Sequence, residues 1–170
     1  MDESTSLYGM LSPFQELNLL YRSSRDGLSF AQFKTKCSDK ENLVIIIKNN
    51  LNYIFGGYAS IKWNTTGSST YLKDPNAFIF SLRRNGISNN AKFKIRNSDY
   101  SICEPHAYIA FGEGLSDIYI DSALSGGHTH IGHSYELPVG YTYDSTETKN
   151  YLAGSFSEWT VQEIEVYQVI

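Results

Sequence analysis

The stretch NLVIIIKNNLNYIFGGYASIKW, residues 42–63, decides the fold class. Its first part is dominated by Leu, Val and Ile, which is typical of a buried β-strand. The residues NNLN then supply a turn, and a second apolar run follows, so the stretch predicts a β-hairpin. Gly56 and Gly57 interrupt the second run, which predicts a bulge or a close approach of other atoms to the backbone.

Further short strands are predicted along the rest of the chain, at residues 77–82, 91–95, 107–111, 117–120 and 159–170. The last segment alternates, and we expect one face to carry Ile164, Val166 and Ile170. The other face is expected to carry Glu163, Glu165 and Tyr167. Because no long helix separates these strands, we expect antiparallel sheets with helices to one side or end, an α+β fold.

Helix signals occur near the N-terminus. The segment SPFQELNLLY, residues 12–21, begins with a capping-box pattern, and its apolar side chains recur at helical spacing: Phe14, Leu17 and Tyr21. The segment SFAQFKTKC, residues 29–37, repeats the pattern, with Ser29 as the cap and Gln32 reaching back to it. Its buried stripe is expected to be Phe30, Phe33 and Cys37. Between the two helices, Asp26 and Gly27 predict a turn that contains a residue with positive φ.

Composition and charge limit the class of protein. The chain has 170 residues, of which 41% are hydrophobic and 19% charged, and this predicts one globular domain. A net charge of −4 without a basic cluster argues against a nucleic-acid partner. The apolar runs are too short to cross a bilayer and the first ten residues lack a signal-peptide pattern, so we expect a cytoplasmic protein without direct membrane insertion. Cys37 and Cys103 are expected to be reduced.

The segment GGHTHIGHSYELP, residues 126–138, holds His128, His130 and His133, three of the four histidines of the chain. Histidine is the commonest metal ligand at neutral pH. Strand alternation places His128 and His130 on one face and His133 on the other. Glu136 is the only carboxylate nearby in sequence that could orient the rings. We therefore expect an exposed loop without a bound metal ion.

The acidic segment FGEGLSDIYID, residues 111–121, contains Glu113, Asp117 and Asp121. These carboxylates lack the spacing of a calcium-binding EF-hand loop, so a structural role is expected for Asp117 and Asp121. Its glycines precede neither a helix pattern nor a GK[ST] sequence, which argues against a phosphate-binding loop.

A thiol nucleophile is the remaining catalytic candidate. Cys103 lies three residues before His106, and the pair would need a turn at Pro105 to bring thiol and base together. No serine lies in a GxSxG motif. The sequence therefore predicts a protein that is not an enzyme and has no cofactor. The alternative is a thiol- or metal-dependent enzyme or a direct oxidant scavenger that uses Cys103 or the three clustered histidines.

The order of five segments resembles that of the TLDc domain, the module of oxidation-resistance proteins and nuclear-receptor-coactivator-7-like proteins of eukaryotes. The segments are LLYRSSRDGLSFAQFKTKC, NYIFGGYASIKW, AFIFSLRR, IAFGEGLSDIYI and AGSFSEWTVQEIEVYQV. The resemblance implies a single domain over residues 12–170, with residues 1–11 as an N-terminal lead-in. It also implies an α+β fold in which two antiparallel β-sheets form a sandwich core flanked by short helices.

The resemblance further implies a set of signature positions: Arg25, Asp26, Gly27, Phe55, Gly56, Gly57, Trp63, Asp117, Glu163 and Glu165. Most of these are expected to serve packing and turns, whereas Arg25 and Glu165 are expected to face a partner. No catalytic chemistry accompanies the family. The resemblance implies a cytosolic protein-interaction domain that binds or regulates the vacuolar proton-pumping ATPase and is linked to protection against oxidative stress.

Overall fold

The computed structural model describes residues 3–11, 16–63, 70–103 and 108–170. The helices in these ranges are α1 (Glu3–Met10), α2 (Ser23–Asp26), α3 (Phe30–Cys37) and α4 (Thr146–Lys149), and a 3-10 turn spans Ser98–Tyr100. The strands are β1 (Leu17–Arg22), β2 (Leu43–Asn49), β3 (Ile54–Ala59), β4 (Tyr71–Leu72), β5 (Phe78–Arg84), β6 (Ile87–Lys94), β7 (Ile102–Cys103), β8 (Ile109–Phe111), β9 (Ile118–Ile120), β10 (Gly127–Thr129) and β11 (Val161–Val169).

The strands form two antiparallel sheets. The large sheet has the order β1-β11-β2-β3-β5-β6, and the small sheet has the order β10-β9-β8-β7-β4. Buried side chains from both sheets join in one hydrophobic core, which includes Ile45 and Phe55 of the large sheet and Ile109 and Phe111 of the small one. The α+β fold with two antiparallel sheets and short flanking helices is thereby confirmed.

The predicted hairpin at residues 42–63 is also confirmed. Strands β2 and β3 pair antiparallel, with Lys48 opposite Ile54 at the turn end and Leu43 opposite Ala59 at the other. The buried Asn49 stabilises the turn, since its Oδ1 accepts hydrogen bonds from the backbone N–H of Leu51 and of Tyr53, each at 3.0 Å. The hairpin contributes the two strands at the centre of the large sheet.

Gly56 and Gly57 lie where other atoms approach the backbone closely. A Cβ at Gly56 would lie 1.9 Å from the carbonyl oxygen of Ile45, and one at Gly57 would lie 2.5 Å from the ring of Phe111. Gly57 therefore lets the small sheet reach the large one at β3. The close approach predicted from the sequence is the reason for both glycines.

The outer face of the large sheet is partly covered, which corrects the prediction for the last strand. Ile164 and Val166 are buried between the sheets as expected, but Ile170 is exposed and Val169 is buried instead. Helix α1 packs over β5 and β6 on that outer face. A second apolar cluster results, formed by Leu7, Leu11, Val44, Phe78, Phe80, Leu82 and Val169. Strict alternation fails here because both faces of the sheet are covered.

The helix predicted for residues 12–21 is wrong over the residues that the structure describes. Residues 12–15 lie outside the described residues, and Leu17–Arg22 form strand β1, an edge strand that pairs with β11. Tyr21 is fully buried, its ring packs edge-on against Phe33, and its hydroxyl donates to the carbonyl oxygen of Gly27 at 2.7 Å. Pairing with a distant strand overrides the local helix signal.

The second predicted helix is confirmed as α3, with the expected buried stripe of Phe30, Phe33 and Cys37. Its capping box is wrong, since the Ser29 side chain makes no capping hydrogen bond. The turn before it is short helix α2, and Gly27 has φ 93°, as predicted. None of the helices in the described part of the chain is long and apolar enough to span a membrane.

Substitution of Gly56 by alanine tests the close approach in the large sheet. We expect Gly56→Ala to lower the free energy of unfolding by about 3 kcal/mol, because the new methyl group meets backbone atoms that cannot move alone. Gly9→Ala in α1 is the control, since nothing lies within 4 Å of a Cβ there, and it should be neutral or stabilise by up to about 1 kcal/mol. Urea unfolding measures both, and equal effects would contradict the packing described above.

Candidate functional site

Five charged residues meet at the edge of the large sheet where β1 ends, and we call them the turn cluster. They are Arg22, Arg25, Asp26, Glu163 and Glu165. The first three belong to the end of β1 and to α2, and the two glutamates belong to β11, about 140 positions later in the sequence. The β1–β11 pairing brings the two groups together, with Arg22 directly opposite Glu165.

Asp26 organises the turn from within. Its carboxylate accepts a hydrogen bond from the backbone N–H of Arg22 at 2.9 Å and one from Nη2 of Arg25 at 2.7 Å. Nη2 of Arg25 also donates to the carbonyl oxygen of Leu20 at 3.0 Å. The hydrogen bond from the Arg25 guanidinium, followed by that from the Arg22 N–H, lowers the pKa of Asp26 to about 2. Asp26 is therefore ionised at neutral pH.

The two glutamates of β11 fasten the same turn to the sheet. Glu163 accepts hydrogen bonds from the hydroxyl of Ser23 and, at 2.9 Å, from the backbone N–H of Ser24. Desolvation acts to raise the pKa of Glu163, but the hydrogen bonds from these two serines outweigh it and hold the pKa below its ordinary value. Glu163 thus binds one of the backbone N–H groups at the start of α2, that of Ser24.

Glu165 has a different pair of partners. It accepts a hydrogen bond from Nε of Arg22 at 2.7 Å and another from the Tyr167 hydroxyl at 2.9 Å. The turn cluster nevertheless remains open to solvent, since the side chains of Arg25 and Arg22 are 47% and 41% exposed. It therefore presents two guanidinium groups and a carboxylate in fixed positions.

The other signature positions lie in the core rather than at this surface. Phe55 and Trp63 are buried, and their rings pack edge-on against Trp159 and Phe111, with centroids 5.6 and 5.4 Å apart. Together with Gly56, Gly57 and the buried Asp117, they form no common site with the turn cluster. The structure thus divides the signature into a surface group and an internal group.

Asp117 holds the segment that follows β10. Its fully buried carboxylate accepts hydrogen bonds from the backbone N–H of Gly132 at 2.7 Å, of His133 at 3.1 Å and of Ser134 at 2.8 Å. Burial raises the pKa of Asp117 to about 7, while these N–H groups oppose the shift. Its own carbonyl oxygen accepts from the N–H of His130 at 3.1 Å. Asp117 therefore joins the start of β9 to the residues that follow β10.

The histidine segment is not the exposed loop that we expected. Gly127–Thr129 form β10, His130 is only 2% exposed, and Ile131, Ser134 and Tyr135 are fully buried. The glycine-rich composition resembles that of a surface loop, but hydrogen bonds to the buried Asp117 carboxylate hold the segment in the protein interior. Desolvation is the main reason why the pKa of each of its three histidines is lowered.

The histidines separate into a single ring and a pair. His128 stacks on Tyr119 with ring centroids 4.8 Å apart, and its Nε2 contacts the carbonyl oxygen of Leu115. His130 and His133 face each other, with Nδ1 of His130 and Nε2 of His133 3.1 Å apart. Within the described ranges, no group of three or more His, Cys, Asp or Glu side chains is arranged to hold a metal ion.

The thiols lie apart from both of these groups. Cys37 and Cys103 are buried and form no disulfide bond with each other, and Sγ of Cys103 lies 3.0 Å from the Tyr108 hydroxyl. His106, the base considered for Cys103, lies outside the described residues. Desolvation, with a smaller contribution from Asp26, raises the pKa of Cys37 to about 12, so this thiol is not a nucleophile at neutral pH.

Sequence reasoning missed Arg22 and Asp74. Arg22 completes the turn cluster, and its place shortly before the predicted turn at Asp26 and Gly27 was the available signal. Asp74 is fully buried and accepts hydrogen bonds from the N–H and hydroxyl of Ser60, each at 2.6 Å, and from the N–H of Asn76 at 3.0 Å. The Asp-Pro-Asn sequence is a turn signal that could have identified it.

Comparison with known proteins identifies the family of the chain. The family model of the TLDc domain matches residues 3–170. The MTOR-associated protein MEAK7 of Xenopus laevis is 26% identical to this chain over 164 residues. That match includes 89% of this chain but 31% of the relative, so the chain spans about a third of the relative's length.

Replacement of the Asp117 carboxyl group by an amide tests its hold on the histidine segment. We expect Asp117→Asn to lower the free energy of unfolding by about 2–4 kcal/mol. The side-chain amide of asparagine has one acceptor oxygen where the carboxylate has two, so a buried backbone N–H is left without an acceptor. Asp99→Asn is the control, since Asp99 is 63% exposed in its ion pair with Lys73 and should change little. Urea unfolding at neutral pH compares them, and a small loss for both would show that the Asp117 contacts are dispensable.

The lowered pKa of Asp26 predicts how the free energy of unfolding depends on pH. The folded state binds the proton at about pH 2, below the ordinary value of about 3.9, so the unfolded state takes it up first. The stability advantage of the wild type over Asp26→Asn should be complete above about pH 4 and disappear as the pH falls to about 2. Urea unfolding of both proteins across this range measures the difference, and a constant difference would contradict the pKa shift.

Proposed function

This chain belongs to the TLDc domain family, and we propose that it is a non-catalytic, cytoplasmic protein-interaction domain that binds the vacuolar proton-pumping ATPase. The family match over residues 3–170 is the observation that carries the proposal. A link to protection against oxidative stress belongs to the same proposal, and it would be indirect, through the partner. We further propose that residues 12–170 form the domain and that residues 1–11 are its N-terminal lead-in.

The chemistry of the described residues supports a binding role over catalysis. Cys37 is held as a thiol by burial, and Cys103 is buried beside a tyrosine hydroxyl. The five residues of the turn cluster include no nucleophilic side chain. Of the serine hydroxyls beside it, that of Ser23 is buried, donates to Glu163 and accepts from the N–H of Ile164. A reaction would need a nucleophile with a base in reach, and the turn cluster offers fixed charges instead.

The turn cluster is the surface that we assign to the partner. Its guanidinium groups are held by Asp26 and Glu165, so little side-chain freedom is lost when a second protein binds. Arg25 and Arg22 remain about half exposed, which leaves them able to meet acidic groups. Charges of both signs in a fixed pattern favour specificity and orientation over raw affinity.

MTOR is the second candidate partner. The name of the Xenopus laevis relative records an association with MTOR, and that relative is 26% identical to this chain. Because the chain matches 31% of the relative, the association could belong to the remainder of that protein. A binding experiment therefore has to include both complexes.

The proposal is tested with purified components. We expect the protein at micromolar concentration to co-migrate with the purified proton pump and to alter its ATP-driven proton transport. Arg25→Gln and Glu165→Gln should each weaken binding by about tenfold, because each removes one charge from the proposed contact. Lys73→Gln is the matched control, since it removes an exposed charge, also from an ion pair, on the small sheet.

Each outcome of this experiment has a definite meaning. Binding that the three substitutions reduce equally would show a non-specific charge effect and overturn the assignment to the turn cluster. Failure to bind the pump, together with binding to an MTOR complex, would favour the second candidate. Thermal unfolding of each variant excludes loss of folding as the cause.

A further inference from the structure

His130 and His133 form a closely spaced pair of imidazole rings. Their facing nitrogen atoms, Nδ1 of His130 and Nε2 of His133, are 3.1 Å apart, and the rings are nearly perpendicular at 88°. Two imidazole nitrogens bound to one tetrahedral Zn²⁺ at 2.0–2.1 Å would be about 3.3 Å apart. The spacing of the two nitrogens is therefore close to the spacing that a shared metal ion requires.

Tyr143 supplies a third donor atom beside the pair. Its hydroxyl oxygen lies 3.2 Å from Nε2 of His133, and its ring stacks on that of His130 with centroids 5.4 Å apart. Tyr143 is 46% exposed, so a small ion can reach the site from solvent. The His133 side chain is half-buried, while His130 forms the buried wall.

Asp144 stands in the position of a carboxylate that orients a metal-binding histidine. Its Oδ1 lies 3.1 Å from Nε2 of His130, the ring nitrogen that points away from His133, at the distance of an ion pair although not aligned as a hydrogen bond. Lys149 fixes Asp144 with a contact of 2.8 Å. Metal-bound histidines commonly place their second nitrogen against such a carboxylate. Sequence reasoning had looked only at Glu136, whereas the carboxylate comes from residue 144.

We propose that His130, His133 and Tyr143 bind one divalent transition-metal ion, Zn²⁺ or Cu²⁺, with water completing the coordination. Imidazole nitrogen suits both ions, and Cu²⁺ is expected to bind more tightly. The charges around the pair are mixed: Glu113 and Asp144 favour a cation at His133, while His128 and Lys149 oppose a cation at His130. The site is independent of the turn cluster and of the proposed partner.

The test uses the metal ions alone and the purified, tag-free protein. Calorimetric titration with Zn²⁺ should show one equivalent bound, and Cu²⁺ should give an electron paramagnetic resonance spectrum with coupling to two nitrogens. His133→Gln should lower the affinity by at least about 100-fold, and Asp144→Asn by about tenfold with a changed Cu²⁺ spectrum. His128→Gln is the matched control from the same segment and should bind within about threefold of the wild type.

Two results would overturn the site. One is adventitious binding only, in which His128→Gln loses as much affinity as His133→Gln or the stoichiometry exceeds one. The other is a His133→Gln protein that binds as the wild type does. Both variants must unfold at the temperature of the wild type in the absence of metal. If His133→Gln does not fold, the wild type and Tyr143→Phe decide the question: the wild type should show coupling to two nitrogens, and Tyr143→Phe should keep that coupling with changed g values, because it loses an oxygen ligand only.

Discussion

The contact between Gly57 of the large sheet and Phe111 of the small sheet is the constraint on which the sandwich depends. A Cβ at position 57 would lie 2.5 Å from the Phe111 ring, so the sheets are as close here as a backbone without a side chain allows. The same ring meets Trp63 edge-on at 5.4 Å and Tyr135 at 6.5 Å. One aromatic ring thus joins β3, the segment after it and the segment after β10. Close-packed cores transmit such constraints, because no neighbour can move alone.

Buried carboxylates extend this constraint to the loops. Asp117 and Asp74 are both fully buried, and the hydrogen bonds described above come to them from backbone N–H groups and a serine hydroxyl. A carboxylate held in this way fixes backbone positions, because each donor has to point at one of two oxygen atoms. Asp117 sets the backbone of residues 132–134, and that backbone determines where the His133 ring lies. The arrangement of the histidine pair therefore depends on the core.

Local sequence patterns correctly predicted the elements in which the apolar residues are the buried ones. The run at residues 43–47 is buried in the middle of a sheet, and Phe30, Phe33 and Cys37 lie on the one face of α3 that meets the core. Prediction failed where a distant partner decides the outcome. Leu17–Arg22 form a strand because β11 pairs with them, and Val169 is buried because α1 covers it. Of the turn cluster, Arg25 and Asp26 were identifiable from the sequence of one turn. The hydrogen bonds that join Ser23 to Glu163 and Arg22 to Glu165 span about 140 residues, and no local pattern carries them.

Strand β11 runs between the two candidate sites. Near its start, Thr160 pairs with Gly126 and Val161 donates to the carbonyl oxygen of Ser125, next to β10 and the histidine segment. Two to four residues later, Glu163 and Glu165 hold the turn cluster. Yet β11 is paired with β2 from Val161 onward, and with β1 as well from Glu165 onward. Energetic coupling requires an element with two discrete arrangements, and a strand held by this pairing has one. A metal ion at the histidine pair and a partner at the turn cluster would therefore bind without influencing each other.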